Sequence, residues 1–247
     1  MLLHNKFYLI VLSVFCISCS TNDDASSSNK LELQASYNID VSEPSGLAIS
    51  GTGNVLYTVS DHTAKIYKLS TTGSVIQEFN YVGDDLEGIS TFTDNKLLAV
   101  EERTKEIVEY NITTGTSVKH AINYENNDSN SGLEGISYNS NDQTIFILNE
   151  KDPGKLLKLN SNFTVLDEYD LNFASDYSGI FYENSSNSLW IVSDQNKTIN
   201  NCTLSGELIT SHSIGVTQAE GIAIFNDKIY VVSDAEEKLY VFTKPQP

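Results

Sequence analysis

The chain has 247 residues and a formal net charge of −18, from 33 acidic and 15 basic side chains. This excess of negative charge excludes nucleic acid and anionic lipid headgroups as favourable partners. Tyrosine is frequent and proline is rare, with 13 Tyr and 4 Pro, and Val, Ile and Thr are common. These proportions favour strands over helices, so we expect an all-β protein.

The first segment of the chain has the features of a secretory leader. A basic start precedes an apolar run from Phe7 to Phe15, which is too short to cross a bilayer, since about 20 apolar residues are needed. Cys19 follows this run directly before the polar stretch STNDDASSSN, and it resembles the lipidated cysteine of bacterial lipoproteins. The predicted divisions are a signal peptide over residues 1–18, a lipidated flexible linker over 19–30 and a β domain over 31–247.

This resemblance implies a cell-envelope protein held at a membrane through a lipid on Cys19. Asp23 and Asp24 resemble the export tag of surface lipoproteins and favour the outer membrane or cell surface, with the periplasmic face of the inner membrane as the other location. The alternative is an ordinary cleaved signal with a coincidental cysteine. In the lipidated protein Cys202 is the one remaining thiol, so no intramolecular disulfide is expected and the core must provide stability.

A unit containing a glycine ahead of an apolar run occurs five times, at spacings of 42 to 47 residues. Each copy continues with a polar turn and a second apolar run that ends in an acid, such as KLLAVEE or KIYVVSD. A third, charged-apolar run follows, and a fourth closes each of the first four units. Four short strands repeated at this spacing are typical of a β-propeller blade. The glycines of the five copies are Gly46, Gly88, Gly135, Gly179 and Gly221.

The fifth unit lacks a fourth strand, while the segment LELQASYNI at residues 31–39 is a spare strand before the first unit. Pairing the two would close the ring and leave few exposed edges. We therefore predict a five-bladed β-propeller closed by pairing of the N-terminal strand with the last blade. A β-sandwich is the alternative. It is less favoured because a sandwich requires no five-fold repeat.

Acidic residues recur at the start of the first strand in three units and at the end of the second strand in all five. Glu87, Glu134 and Glu220 precede three of the glycines, and Ser45 and Ser178 precede the other two. The start of the first strand and the end of the second lie on one face of a propeller, so up to eight carboxylates would surround one mouth of the central channel. The acids that end the second strands are Asp61, Glu102, Glu150, Asp194 and Asp234.

Two carboxylates about 6 Å apart repel by roughly 3 kcal/mol at an effective dielectric constant of 20, so such a ring requires compensation. Calcium accepts six to eight oxygen ligands with loose geometry, whereas zinc prefers the Cys and His ligands that are not clustered here. Calcium is therefore the predicted cofactor. One alternative is that the acids accept backbone N–H groups in the turns that follow them. Another is that the glutamates are protonated or pair with cations, of which Arg103 and Lys151 directly follow Glu102 and Glu150.

Several segments resemble the SdiA-regulated family of calcium-regulated β-propeller proteins, notably DDLEGIS, VEER, GLEGISYN, NEKDP and AEGIAIFNDKIYVVSD. The resemblance covers about Glu43 to Phe242. It implies a five-bladed propeller with calcium at a central funnel and no established reaction, and it places Glu87, Glu102, Glu134, Glu150 and Glu220 at that funnel. The fourth unit has Ser178 before its glycine, so a full ring is interrupted there and an off-axis metal site is an option.

The main alternative function is a calcium-dependent hydrolase, similar to propeller lactonases and phytases, which requires a base beside the metal. His62 follows Asp61 and is the nearest candidate, because His120 and His212 fall in predicted outer strands. Arg103, Lys151 and His62 are the candidate ligand-binding residues, for a small anionic ligand. A third option is an interaction module that holds an envelope protein or a glycan. A monomer is expected, and Trp190 is expected to pack in the core.

Overall fold

The computed structural model describes residues 29–93, 95–124 and 132–246. These residues form five four-stranded antiparallel sheets and no helix, arranged as the blades of a five-bladed β-propeller. The predicted fold class is therefore confirmed. The predicted signal peptide, Cys19 and most of the predicted linker lie outside the described residues.

Blades 1 to 4 each run outward in chain order from the central channel. Blade 1 contains β2 (Pro44–Ile49), β3 (Val55–Ser60), β4 (Lys65–Ser70) and β5 (Val75–Glu78), after the N-terminal strand β1 (Leu33–Asn38). Blade 2 contains β6 (Leu86–Thr91), β7 (Lys96–Glu101), β8 (Glu106–Asn111) and β9 (Ser117–Ala121). Blade 3 contains β10 (Leu133–Asn139), β11 (Thr144–Asn149), β12 (Lys155–Asn160) and β13 (Val165–Asp170). Blade 4 contains β14 (Ile180–Glu183), β15 (Ser188–Ser193), β16 (Thr198–Cys202) and β17 (Leu208–Ser213).

Blade 5 joins the two ends of the described chain. Its strands β18 (Ala219–Phe225), β19 (Lys228–Ser233) and β20 (Lys238–Thr243) are completed by β1, in the order β1-β20-β19-β18. Ser36 pairs with Tyr240 and Tyr37 with Leu239 in an antiparallel register. The predicted closure of the ring is confirmed, and it removes the edge that β20 would otherwise present.

The hydrophobic core consists of five clusters, one at each interface between neighbouring blades. The second strand of every blade is almost entirely buried, because both of its faces pack against adjacent blades, whereas the outermost strands are mainly exposed. Trp190 is buried in the cluster between blades 4 and 5, as the sequence predicted.

The innermost strands approach one another so closely that a side chain would not fit at the repeated glycine. A Cβ atom on Gly88 would lie 2.4 Å from the carbonyl oxygen of Glu134, and one on Gly221 would lie 2.5 Å from the backbone nitrogen of Leu47. Both distances are below van der Waals contact, so glycine is required where neighbouring backbones converge.

Candidate functional site

In four of the five blades the residue before the repeated glycine lies in an irregularity of the innermost strand. The register of the pairing shifts between Leu86 and Ile89 in blade 2 and between Leu133 and Ile136 in blade 3. Equivalent shifts occur at the starts of β2 and β18. A β-bulge redirects the side chain that it contains. Glu87, Glu134 and Glu220 therefore belong to bulges rather than to regular strand.

A repeated backbone hydrogen bond places the acid at the end of the second strand beside the bulge. The N–H of Asp61 donates to the carbonyl of Glu43 at 3.1 Å, and the N–H of Glu102 donates to that of Asp85 at 2.9 Å. The N–H groups of Glu150 and Asp234 donate in the same way, to Gly132 and Gln218. In each case the acceptor lies two residues before the bulge residue, so four blades present their acids in the same geometry.

The acids of these four blades line one cavity of about 260 Å³ at the mouth of the channel, which we call the acidic funnel. No basic residue is among the described residues that line it. The funnel contains seven of the eight carboxylates predicted as metal ligands, together with Glu43 and Ser45. The seven are Asp61, Glu87, Glu102, Glu134, Glu150, Glu220 and Asp234.

Asp194, the eighth predicted ligand, is not part of the funnel wall. Blade 4 departs from the other blades here, because its innermost strand begins only after the glycine, at Ile180. The buried carboxylate of Asp176 accepts hydrogen bonds from the Ser193 hydroxyl and, at 3.2 Å, from the Gln195 N–H. The negative charge of Asp194 still acts on the funnel, since it contributes to the raised pKa of Glu220.

The two serines that replace glutamate connect adjacent blades. The Ser45 hydroxyl lies 2.6 Å from Oε2 of Glu87 and 2.7 Å from the Glu87 carbonyl oxygen. The Ser178 hydroxyl donates to the carbonyl of Ala219 at 3.0 Å. These hydroxyls thus occupy positions where other blades place a carboxylate, and they reduce the number of charges at the channel.

Two acids that the sequence analysis did not select, Glu43 and Asp85, stand two residues before the bulge position. Both have a positive φ, of 45° and 61° respectively, which is uncommon for residues other than glycine. One carboxylate oxygen each from Asp61, Asp85 and Glu87 lie within 4.8 Å of one another. This three-carboxylate cluster comes from blades 1 and 2 alone, so it lies to one side of the channel.

The cations near the funnel are engaged in ion pairs. Arg103 contacts Asp84 through Nη1 at 2.9 Å and Asp85 through Nη2 at 3.0 Å, rather than pairing with the adjacent Glu102. Glu102 instead accepts the N–H of Gly132 at 2.8 Å. Lys151 pairs with Glu150, its neighbour in sequence.

Burial and mutual repulsion raise the pKa values of the funnel acids. The pKa values of Glu87 and Glu134 are well above their usual range, first because of burial and then because of nearby carboxylates. Burial, followed by the charges of Asp194 and Asp234, raises the pKa of Glu220 to about 8. Burial and then Asp85 raise the pKa of Asp61 to about 6. The funnel therefore disfavours its own full ionisation.

The donor set fits a hard cation. All the charged groups of the funnel wall are carboxylates, which are ligands that calcium prefers. Oδ1 of Asp234 is buried and has no hydrogen-bond partner among the described residues. Buried polar atoms usually have a partner, and a bound cation would provide one for this oxygen. Cysteine and histidine, which zinc prefers, are absent from the described lining.

None of the three histidines in the described part of the chain lines the funnel. The side chain of His62 is 64% exposed, and its Nδ1 lies 3.8 Å from Glu43. His120 is in β9 and His212 in β17, both outermost strands, as predicted.

Comparisons with known proteins agree with this architecture. Residues 26–243 match the model of the family described as SdiA-regulated. The chain belongs to the SdiA-regulated family. Among solved structures, it is similar to a glutaminyl cyclase from Myxococcus xanthus, with a TM-score of 0.68 and 10% identity, over 87% of this chain and 96% of that one.

Two further structures share the fold at low identity. A streptogramin B lyase has a TM-score of 0.51 and 20% identity, over 86% of this chain and 73% of the other. A luciferin-regenerating enzyme has a TM-score of 0.55 and 12% identity, over 85% and 95% of the two chains. At these identities the likeness supports the propeller fold alone.

The raised pKa values predict that the calcium-free protein loses stability as the pH rises. In the unfolded chain carboxyl groups titrate near pH 4. An acid whose pKa is raised in the folded protein therefore contributes its full stabilisation only below about pH 4. This contribution is lost as the pH rises through about 6 for Asp61 and about 8 for Glu220. We expect the Tm of chelator-treated protein to be about 5 °C lower at pH 8 than at pH 5.5.

Glu220→Gln should reduce this pH dependence, because it removes one titrating group, whereas Glu207→Gln, an exposed position outside the funnel, should not. Melting curves followed by circular dichroism provide the measurement. A Tm that rises between pH 5.5 and 8 would show that the funnel acids are not protonated in the folded protein.

Proposed function

We propose that this SdiA-regulated protein binds calcium at the acidic funnel and acts as an envelope-anchored binding or scaffold propeller. The observation that carries the proposal is the approach of Asp61, Asp85 and Glu87, whose carboxylate oxygens lie within 4.8 Å of one another. Oxygen ligands lie about 2.3 to 2.6 Å from calcium, so two of them on one ion are separated by at most about 5 Å. The spacing of the three oxygens is thus compatible with a shared ion.

The surroundings of this cluster support the same site. Arg103 forms an ion pair with Asp85, and the Ser45 hydroxyl contacts one oxygen of Glu87, so protein contacts orient both carboxylates. A bound calcium ion would supply positive charge that offsets the repulsion within the funnel. Because its ligands come from blades 1 and 2, the ion would also link the two blades.

We favour binding over hydrolysis because hydrolysis at a calcium site requires a positioned base or nucleophile. No histidine is among the described residues of the funnel wall, and His62, the sequence-based candidate, is mainly exposed. Arg103 and Lys151 are engaged with acids, so an anionic ligand would have to displace these ion pairs.

Calcium should stabilise the folded protein. A ligand at 100 times its Kd adds about 2.7 kcal/mol, so we expect chelator-treated protein to gain roughly 5 to 10 °C in Tm with millimolar calcium at pH 7.5. The double variant Asp61→Asn, Glu87→Gln should lose this gain, because two of the three clustered carboxylates become neutral. The same amount of magnesium should give a smaller gain, because magnesium gives up its water ligands reluctantly.

The matched control is Glu207→Gln, which changes an exposed glutamate outside the funnel and should retain the full calcium response. An unchanged Tm in the unmodified protein would contradict the proposal. An equal calcium gain in the double variant would show that calcium binds elsewhere.

The leader supports the anchoring part of the proposal. Cys19 stands directly after the apolar segment and its short CIS extension, and the described propeller begins with β1 at Leu33. Within the described residues, no helix has the length and apolar character needed to cross a membrane. A lipid on Cys19 would attach the propeller through a linker of polar residues.

Replacing Cys19 should release the protein from the membrane. In cells that express the full chain, we expect the unmodified protein in the detergent-rich phase of a Triton X-114 extract and Cys19→Ser in the aqueous phase. Cys16→Ser is the matched control and should remain with the detergent, since Cys16 is removed with the leader. Recovery of Cys19→Ser in the detergent phase would disprove lipidation at this position.

A further inference from the structure

A second cavity lies at the end of the channel opposite the acidic funnel. It has a volume of about 480 Å³ and is formed where the innermost strands of all five blades end. These strands contain about six residues and rise about 3.3 Å per residue, so the two cavities are separated by roughly 15 to 20 Å along the axis. We call it the distal cavity, and its volume is in the range of small-molecule sites.

Four aromatic residues from blades 3, 4 and 5 line the distal cavity, and one of them, Tyr182, is buried. Tyr138, Phe181 and Phe225 are all half-buried, so part of each side chain remains accessible. The position of Phe225 depends on Gly53, because a Cβ atom at Gly53 would lie 2.2 Å from the Phe225 ring. The loop of blade 1 therefore leaves space for this ring.

The rest of the lining is rich in uncharged polar groups. Half of the lining residues are serine, threonine or asparagine. The buried Ser137 hydroxyl accepts the N–H of Tyr182 at 2.8 Å and donates its own proton to none of the described residues. The Tyr138 hydroxyl forms no hydrogen bond within the described part of the chain, although its backbone N–H donates to Ser90 at 3.0 Å. The cavity thus combines aromatic surface with unused hydroxyl groups.

The distal cavity has no unpaired charge. Glu183 is the one charged residue of its described lining, and its carboxylate forms an ion pair with Lys244. The same carboxylate accepts hydrogen bonds from the Trp190 indole at 2.8 Å and from the Ser186 hydroxyl at 2.8 Å. This arrangement disfavours charged ligands, because no group remains to pair with an anion or a cation.

We propose that the distal cavity is a binding site for an uncharged sugar unit, such as the end of a glycan. A pyranose ring has one apolar face of C–H groups, which suits the faces of aromatic rings, and a rim of hydroxyls, which suits serine and asparagine. A purely apolar ligand would leave the polar half of the lining without hydrogen bonds. The inference is independent of calcium at the funnel, since none of the funnel acids contributes to this cavity.

The test is saturation-transfer difference NMR on the full chain with four uncharged sugars, namely glucose, galactose, mannose and N-acetylglucosamine, each at 20 mM. We expect at least one sugar to receive saturation through its C–H groups, with a millimolar Kd. Glucuronate, which carries a carboxylate, should bind more weakly than glucose.

Two variants locate the binding. Phe181→Leu should weaken it at least 5-fold by removing an aromatic face, and Tyr138→Phe should weaken it about 3-fold by removing one hydroxyl while keeping the ring, so the second variant tests the site even if the first is unstable. Tyr169→Leu, which removes an aromatic ring from the outermost strand of blade 3, should leave sugar binding unchanged.

Binding should also persist in the Asp61→Asn, Glu87→Gln double variant, so failure of the calcium proposal would not affect this one. Absence of binding for all four sugars would overturn the proposal. Sugar binding that is unchanged in Tyr138→Phe and, if it folds, in Phe181→Leu would also overturn it.

Discussion

Five backbones approach one another closely at the propeller axis, and this convergence determines which residues can occupy the innermost strands. Glycine is required at the convergence points, because a Cβ atom at Gly46, Gly88, Gly179 or Gly221 would lie 2.4 to 2.7 Å from the backbone of the next blade. In four of the blades the residue before this glycine lies in a β-bulge. The residue at that position therefore faces a crowded channel mouth, and three blades place a glutamate there.

The fold could be predicted from the sequence because the sequence is periodic. Five glycine-containing units, each with the same order of apolar runs, specify the number of blades, and the unpaired segment at residues 31–39 specifies how the ring closes. The bulges were not anticipated, although a glycine inside a strand is a signal for one. A bulge changes the direction of a single side chain, so the pattern of apolar runs that predicts the strands does not reveal it.

The candidate site could be predicted only in part from the sequence. Seven of the predicted acids line the funnel, but Asp194 does not, because blade 4 lacks the regular start of its innermost strand. Asp85 and Glu43 were missed because their importance depends on a positive φ and on contacts between blades. The partner of Arg103 was also beyond sequence reasoning, since a neighbour in sequence, Glu102, is not its neighbour in space. The sequence signal for this part of the site is an acid two residues before the bulge position, as in blades 1 and 2.

The two ends of the channel differ in chemistry although the same five strands form both. One end collects carboxylates whose pKa values are raised by burial and repulsion, and the other combines aromatic rings with hydroxyls around a fully paired Glu183. Equilibrium dialysis of the purified, chelator-treated protein against micromolar to millimolar calcium measures directly whether the acidic end binds the ion. We expect saturable binding of at least one calcium ion per chain, and we expect the Asp61→Asn, Glu87→Gln variant to lose it. No calcium above the buffer concentration would contradict it.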